Sequence, residues 1–432
     1  MRVGISSAGI AFGILAFALP AAAAPSSMTY TYKHHIITVS VTAHPEWRQP
    51  KRVWLFRGVE AIPPARLKTC GDEDIAEAGW TWEEQIDWNE DAIRQTIETD
   101  VSAKLEREAG NVVISKSASG SIVFDGIGLT GRKVDTSLAA ILTIRALEND
   151  VASVDLPILE TQPTIDVRDE ELRAMGIKEV VTVGESVFAG SPVNRRHNIK
   201  VGLAKFNGHL IPQGDIFSFV EILGPVNDRT GYRKELVING ETTLPDYGGG
   251  LCQVSSTAYR GPWEYGMQIV QRKNHSYAVS YYSPQGTDAT IYPPNVDIKF
   301  KNDTPGALLI QSYADEQSRA FFIYYGTRDE RTSDVVGPYI FDRVSAPKAE
   351  KISYTTEIPV GEKRKAGERH DGMKALWYRT VHMPGTGAVL ERYFSLYEAR
   401  PLYWQIGVTA DEMLSRTSGD FNETPSWLPS KP

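Results

Sequence analysis

The sequence predicts an α+β protein of several domains, and three observations carry that prediction. Apolar residues recur at helical spacing in a few well-separated stretches, as in Ile93, Ile97, Val101 and Leu105. Around them run short alternating segments that end at Gly, Pro, Asn or Asp and read as strands. The 432 residues are 41% hydrophobic and 23% charged, ordinary for folded protein and enough for roughly two to four domains.

The first 24 residues hold one arginine, an apolar run from Ala8 to Leu19 and four alanines from Ala21 to Ala24. This is the pattern of a secretory signal peptide with a small-residue cleavage site. No cysteine follows the run, so no lipid anchor is expected, and no later stretch approaches the roughly 20 apolar residues of a spanning helix. The mature chain is expected outside the cytoplasm, in the periplasm or cell wall. A net charge of −8 without a basic stripe argues against nucleic acid as a partner.

Residues 27–82 form a β-rich segment with strands around Thr29 to Tyr32, Ile36 to Val41 and Val53 to Phe56. Its His34-His35 pair has no second ligand cluster and reads as an exposed strand end. Residues 83–168 read as an α+β domain. Its first helix carries the Ile93 stripe and is capped near Gly110; a hairpin joins Val112-Val113-Ile114 to Ile122-Val123-Phe124; Asp135-Thr136 caps a second helix. Residues 169–190 are an acidic linker. Residues 191–330 form the central domain, 345–408 a small all-β domain rich in glycine, and 409–432 a polar, proline-containing tail expected to be disordered.

The central domain holds the chemistry. Asn198 is read as the cap of a helix running to Phe206, and Asn239-Gly240 as a type I′ turn between Leu236-Val237-Ile238 and Glu241 to Leu244. That hairpin delivers the chain to Gly248-Gly249-Gly250-Leu251-Cys252-Gln253-Val254-Ser255-Ser256-Thr257. Three glycines permit a tight turn, and a cysteine just beyond sits at a helix start, where unpaired N–H groups favour a thiolate. Arg260-Gly261-Pro262 should kink that helix. Downstream, His275 falls on an alternating segment from Asn274 to Tyr282, and an acid follows. A cysteine at a helix start, a histidine on a strand and then an acid is similar to the order in papain-like, transglutaminase-like and NlpC-type enzymes, and it suits a nucleophile, a base and an orienting group. If residues 274–292 form a simple hairpin, Asp297 lies diagonal to His275 and Asp288 about 20 Å away. Gln253, Ser255 and Ser256 would support the helix start, with the Gln253 N–H in an oxyanion site, while in a binding protein the Gly249-Gly250 loop and the helix N-terminus would hold a carboxylate or sugar. Arg195 and Arg196 would bind a carboxylate, or else lie in solvent paired with the acidic linker.

For Cys252 three readings remain open: nucleophile, a disulfide with Cys70 (the one other cysteine), or a small core residue. No CxxC, HExxH or Gly-x-Ser-x-Gly pattern occurs, so neither a metal site nor a serine triad is expected, and no cofactor is called for.

The same residues resemble the VanW family, named for a member of vancomycin-resistance gene clusters. The resemblance rests on GGGLCQVSST at 248–257, Asn274-His275-Ser276, YYSPQGTDATI at 281–291 and DIKFKND at 297–303. It begins near Val193 to Ile199 and ends near Ile310. It departs at Arg260-Gly261-Pro262-Trp263, where family members continue an unbroken Ala/Leu-rich turn. The resemblance implies a cell-envelope context and favours Asp288, which lies in the motif, over Asp297. The helix–hairpin–helix–strand order of 83–168 is similar to the peptidoglycan-binding domain that accompanies VanW regions, and Gly372 with Gly385-Thr386-Gly387 is similar to a G-five domain. The expected function is an exported cell-envelope protein with cysteine-dependent acyl transfer or hydrolysis on peptidoglycan peptide. The alternative is a non-catalytic binder of peptidoglycan or polysaccharide.

Overall fold

The computed structural model describes residues 25–65, 75–76, 78–239, 242–385 and 387–417. The expected signal peptide, Cys70, Gly240 and most of the expected tail lie outside them. The architecture is mixed α+β and rich in strands. No helix among the described residues is long and apolar enough to cross a membrane.

The chain gathers into two compact units, and their boundaries cut across the expected domains. One unit takes the chain up to Thr31, Ile37–Lys104 and Val134–Pro157; the other takes Tyr32–Ile36, Leu105–Lys133 and the chain from Ile158 on. The stretch 83–168 is therefore divided: helices Glu90–Thr96 and Thr136–Glu148 fall in the first unit, the hairpin Val112–Lys116/Ile122–Gly126 in the second. Long-range parallel pairing is the cause. Ser27–Tyr32 pairs with Ser153–Asp155 in the first unit, and Ile165–Val167 with Val112–Lys116 in the second. Such pairs leave no local trace.

In the first unit, Asn89 caps its helix by accepting the Ala92 amide at 3.2 Å. The helix continues through a π turn at Ile97–Ser102 into Ala103–Leu105, ending well before Gly110. A strict four-residue repeat drifts around a 3.6-residue helix; the wider i→i+5 turn corrects the drift, and Ile93, Ile97 and Val101 are all fully buried. Asp135 caps Thr136–Glu148 through the Leu138 amide at 3.0 Å.

The second unit is built on an antiparallel four-stranded sheet. Its order is β1 (Glu179–Val187), then Arg319–Gly326, Leu308–Ala314 and the short Leu210–Ile211. Helix α1 (Val193–Ala204) starts after Pro192, so Asn198 lies mid-helix. Its buried amide accepts from the Arg233 amide at 2.8 Å and donates to the Arg233 and Gly249 carbonyls at 2.9 and 3.1 Å. A helix cap by sequence is thus a tie between segments by structure. Strands β2 (Lys234–Asn239) and β3 (Thr242–Tyr247) form the expected hairpin, with Asn239 paired to Thr242 as a strand residue.

Helix α2 (Leu251–Tyr265) lies against β1 at backbone contact distance. A Cβ on Gly184 would stand 2.0 Å from the Thr257 carbonyl oxygen, and one on Gly261 2.8 Å from the Gly184 nitrogen. The helix runs through Pro262, where a kink was expected, to a C-cap at Gly266. Proline cannot supply the amide that would bond the Ala258 carbonyl. The buried Tyr324 hydroxyl donates to that carbonyl instead, at 2.7 Å.

The segment 32–36 also belongs here. His34 is buried, not exposed, with its ring paired to Glu264, while His35 meets Glu185 at 2.8 Å. After Gln271 the chain runs irregularly to Lys299 with one 3-10 turn at Ser280–Tyr282. The C-terminal part has two three-stranded sheets. One consists of Thr332–Val344, β4 (Gly372–Met383) and β5 (Gly387–Tyr397); the other of Lys351–Thr355, Tyr403–Gly407 and Lys363–Gly367. Its first strand therefore begins ahead of the expected boundary at 345. Ala410–Thr417, expected as disordered tail, is an amphipathic helix.

Candidate active site

Cys252 is the second residue of α2, and the glycine loop sets its position. Gly248 and Gly250 have φ of +84° and +110°, the left-handed region that side chains disfavour. A Cβ on Gly249 would meet the Leu236 carbonyl oxygen at 2.7 Å, and one on Gly250 would meet Arg195 Cγ at 3.0 Å. The chain itself fills the space beside both glycines, which accounts for the absence of a side chain at each.

Two of the first amides of α2 are paired. Leu251 N–H donates to the Gly248 carbonyl and Gln253 N–H to the Gly250 carbonyl, each at 3.0 Å. The oxyanion role expected of Gln253 N–H is thereby ruled out. The Cys252 amide between them takes no acceptor among the described residues and stands at the positive end of the helix.

The thiol is free and half-buried. Sγ lies 3.5 Å from Thr290 Oγ1 and beside the Ile291 amide. His275 is its charge partner. Burial alone would raise the thiol pKa; the neighbouring His275 imidazole and its charge, helped by Ile291 and Thr290, bring it down to about 7.

His275 is not on a strand. It sits in the irregular run after Gln271, stacked on Tyr282 with ring centroids 4.3 Å apart. Its Nδ1 donates to Asp288 Oδ2 at 2.7 Å, and its backbone amide reaches the same oxygen at 2.7 Å. Nε2 is buried outside hydrogen-bond geometry on a ring whose free side neighbours the thiol. Burial would lower the imidazole pKa, but Asp288 and Cys252 raise it to about 9. With the thiol below the imidazole, a thiolate–imidazolium pair is the stable form near neutrality.

Asp288 is 2% exposed and accepts four hydrogen bonds: two from His275, one from Arg272 at 3.2 Å and one from the Tyr397 hydroxyl. Burial would raise its pKa, yet the His275 hydrogen bond and the Arg272 charge hold it well below the ordinary carboxylate range. Asp297 is elsewhere. It accepts the Ser218 hydroxyl at 2.6 Å and the Val220 amide at 2.9 Å, capping the short helix Phe219–Leu223. The hairpin geometry that favoured Asp297 fails because residues 272–298 form no ladder.

The remaining candidates are supports. Ser255 Oγ donates to the Ala289 carbonyl at 2.7 Å, while Ser256 Oγ accepts the Ala289 amide at 2.9 Å and bonds the Cys252 carbonyl at 2.7 Å. Together they seam the first turn of α2 to the Asp288-Ala289-Thr290 segment. Arg195 is buried and committed to Ser191 at 2.6 Å, Gln253 Oε1 at 3.0 Å and the face of Tyr281. It therefore supports Gln253; the carboxylate expected for it has no place. Arg196 is exposed. The sequence reading passed over Arg272, the first of the basic pair Arg272-Lys273, and Tyr397, which lies 109 residues beyond Asp288. No cluster of metal-ligating side chains occurs among the described residues.

Comparisons with known proteins concern the same stretch. Residues 194–324 match the family model described as VanW like protein. "Uncharacterized protein YoaR" of Bacillus subtilis (strain 168) is 30% identical over 162 residues, 37% of this chain and 52% of that protein. "Vancomycin B-type resistance protein VanW" of Enterococcus faecalis (strain ATCC 700802 / V583) is 30% identical over 146 residues, 30% of this chain and 52% of that protein. The chain thus spans about half the length of each of these relatives. A solved structure titled "Crystal structure of HP0197-G5" aligns whole to 18% of this chain at 20% identity, but its TM-score of 0.10 carries no argument. Cys252, His275 and Asp288 all fall inside residues 194–324, the stretch that is similar to the VanW like protein family.

Proposed function

We propose that this is an exported cell-envelope protein whose VanW-like domain performs cysteine-dependent acyl transfer or hydrolysis on peptidoglycan peptide. One observation carries the reading: a half-buried thiol at a helix start beside an imidazole whose other nitrogen is held by a buried carboxylate. The apolar run and alanines of residues 1–24 and the printed name of the Enterococcus relative supply the envelope context.

Cys252 Sγ attacks the carbonyl carbon of a peptide amide as thiolate. The developing oxyanion points to the Cys252 amide at the start of α2. The C–N bond breaks, the His275 imidazolium gives its proton to the leaving amine, and an acyl-thioester remains. Water, or the amine of a second peptide, then attacks the thioester while His275 takes back a proton and Cys252 leaves as thiolate. Asp288 keeps the imidazole in the tautomer with its proton on Nδ1 throughout.

The test is incubation of the mature protein with purified muropeptides, with products read by mass spectrometry. Wild type should release or exchange an amide-linked fragment, and Cys252→Ala should abolish this while still binding wall material. Turnover retained by Cys252→Ala overturns the mechanism. Wall binding without product, unchanged by alkylation of Cys252, supports the non-catalytic reading.

A further inference from the structure

The loop carrying His275 and Asp288 is held by the end of strand β5, about seventy residues beyond the matched VanW stretch. Four successive residues of the chain reach it. Ser395 Oγ accepts from Arg272 at 2.8 Å, and the Leu396 carbonyl accepts the Asn274 side chain at 2.7 Å. The Tyr397 hydroxyl accepts the Gly286 amide at 2.6 Å, and Glu398 N–H donates to the Ser276 carbonyl at 2.7 Å.

Tyr397 matters most, because its hydroxyl hydrogen has a single destination. The oxygen already accepts from Gly286, so the hydrogen goes to Asp288 Oδ1. Arg272 takes the same oxygen, which leaves Oδ2 to the two donors of His275. The Tyr397 ring is 2% exposed, so water cannot replace its hydroxyl. Gly286 has φ of +90°, and a Cβ there would stand 2.6 Å from Trp377 Cδ1 on β4. The turn leading to Asp288 is therefore moulded on this sheet.

We infer that Tyr397 is a positioning residue for the Asp288–His275 pair, and that the C-terminal sheet is part of the active-site architecture. This rests on the nucleophilic reading of Cys252. Without the hydroxyl, the buried Gly286 amide loses its acceptor and Asp288 loses the contact that assigns its oxygens. The imidazole is then held less firmly against the thiol.

The experiment is the pH dependence of Cys252 alkylation by iodoacetamide on the full chain, followed by peptide mapping so that Cys70 is counted separately. In Tyr397→Phe the midpoint should rise by about half a pH unit or more, making alkylation at pH 7 at least about twofold slower. Tyr393→Phe, which removes another hydroxyl from β5, should leave the profile in place. If Tyr397→Phe does not fold, Ser395→Ala, which frees Arg272 from the same strand, should shift the midpoint in the same direction. A folded Tyr397→Phe with an unmoved midpoint overturns the inference, as does an unmoved Ser395→Ala where Tyr397→Phe fails to fold. A wild-type midpoint of about 8.5, that of an ordinary thiol, overturns the nucleophile reading and this inference together.

Discussion

His275→Gln isolates the imidazole's share of the thiol's acidity. Glutamine can still donate to Asp288, and Arg272 and Tyr397 still hold that carboxylate, so no buried charge is stranded. What disappears is the neighbouring positive charge that brings Cys252 down to about 7. Burial then acts almost alone, and the thiol returns to about 8.5 or higher. At pH 7 the thiolate fraction falls from roughly one half to roughly 3%, so alkylation should slow about fifteenfold. Reactivity should fall at neutral pH and recover above pH 9, where the thiol ionises unaided. The assay is a pH–rate series with a small electrophile, read by mass spectrometry on the Cys252 peptide. Turnover in the wild type should rise through about pH 7 as the thiol ionises and fall through about pH 9 as the imidazolium loses its proton. A neutral-pH alkylation rate in His275→Gln within twofold of wild type would refute the ion-pair reasoning.

The remaining predictions separate site from scaffold. Asp297→Asn should leave the Cys252 alkylation profile unchanged while lowering thermal stability, because Asp297 caps Phe219–Leu223 and does not meet His275; a displaced profile would reinstate it as the orienting acid. Tyr324→Phe should cost about 1–3 kcal/mol in denaturant unfolding, because it strips the buried Ala258 carbonyl of its donor. Made together with Pro262→Ala, which restores a helix amide for that carbonyl, it should cost at least about 1 kcal/mol less. Equal costs in both backgrounds would mean that the hydroxyl is not standing in for the missing amide.

The cysteine was legible because its determinants are local: a glycine turn that only small residues allow, then a helical stripe. The two supporting serines follow from the same three turns of sequence. The acid was legible only through the family motif, since strand geometry placed His275 on a ladder that residues 272–298 never form. An alternating pattern such as Asn274 to Tyr282 is equally compatible with a loop whose partners lie elsewhere, and here those partners are Arg260, Arg272 and Tyr397. Asn198 failed as a helix cap, and the helix continues past Pro262, for one reason. In each case a distant segment, Arg233 with Gly249 or the hydroxyl of Tyr324, supplied what the local rule assumed to be missing. The unit boundaries were illegible because two parallel strand pairs span more than fifty residues each.

Arg260 has a consequence for when the protein becomes reactive. From the middle of α2 its guanidinium reaches the Tyr282, Ser283 and Thr287 carbonyls and the Thr287 hydroxyl, at 2.8 to 3.4 Å. The loop that carries His275 and Asp288 has almost no ladder of its own, so it orders only once α2 is seated and these donors are in place. Until then Cys252 is an ordinary thiol, mostly protonated at neutral pH. The nucleophile is therefore silent in any chain in which α2 and this loop have not met, so that the gain of Cys252 reactivity during refolding reports the docking of the loop on α2.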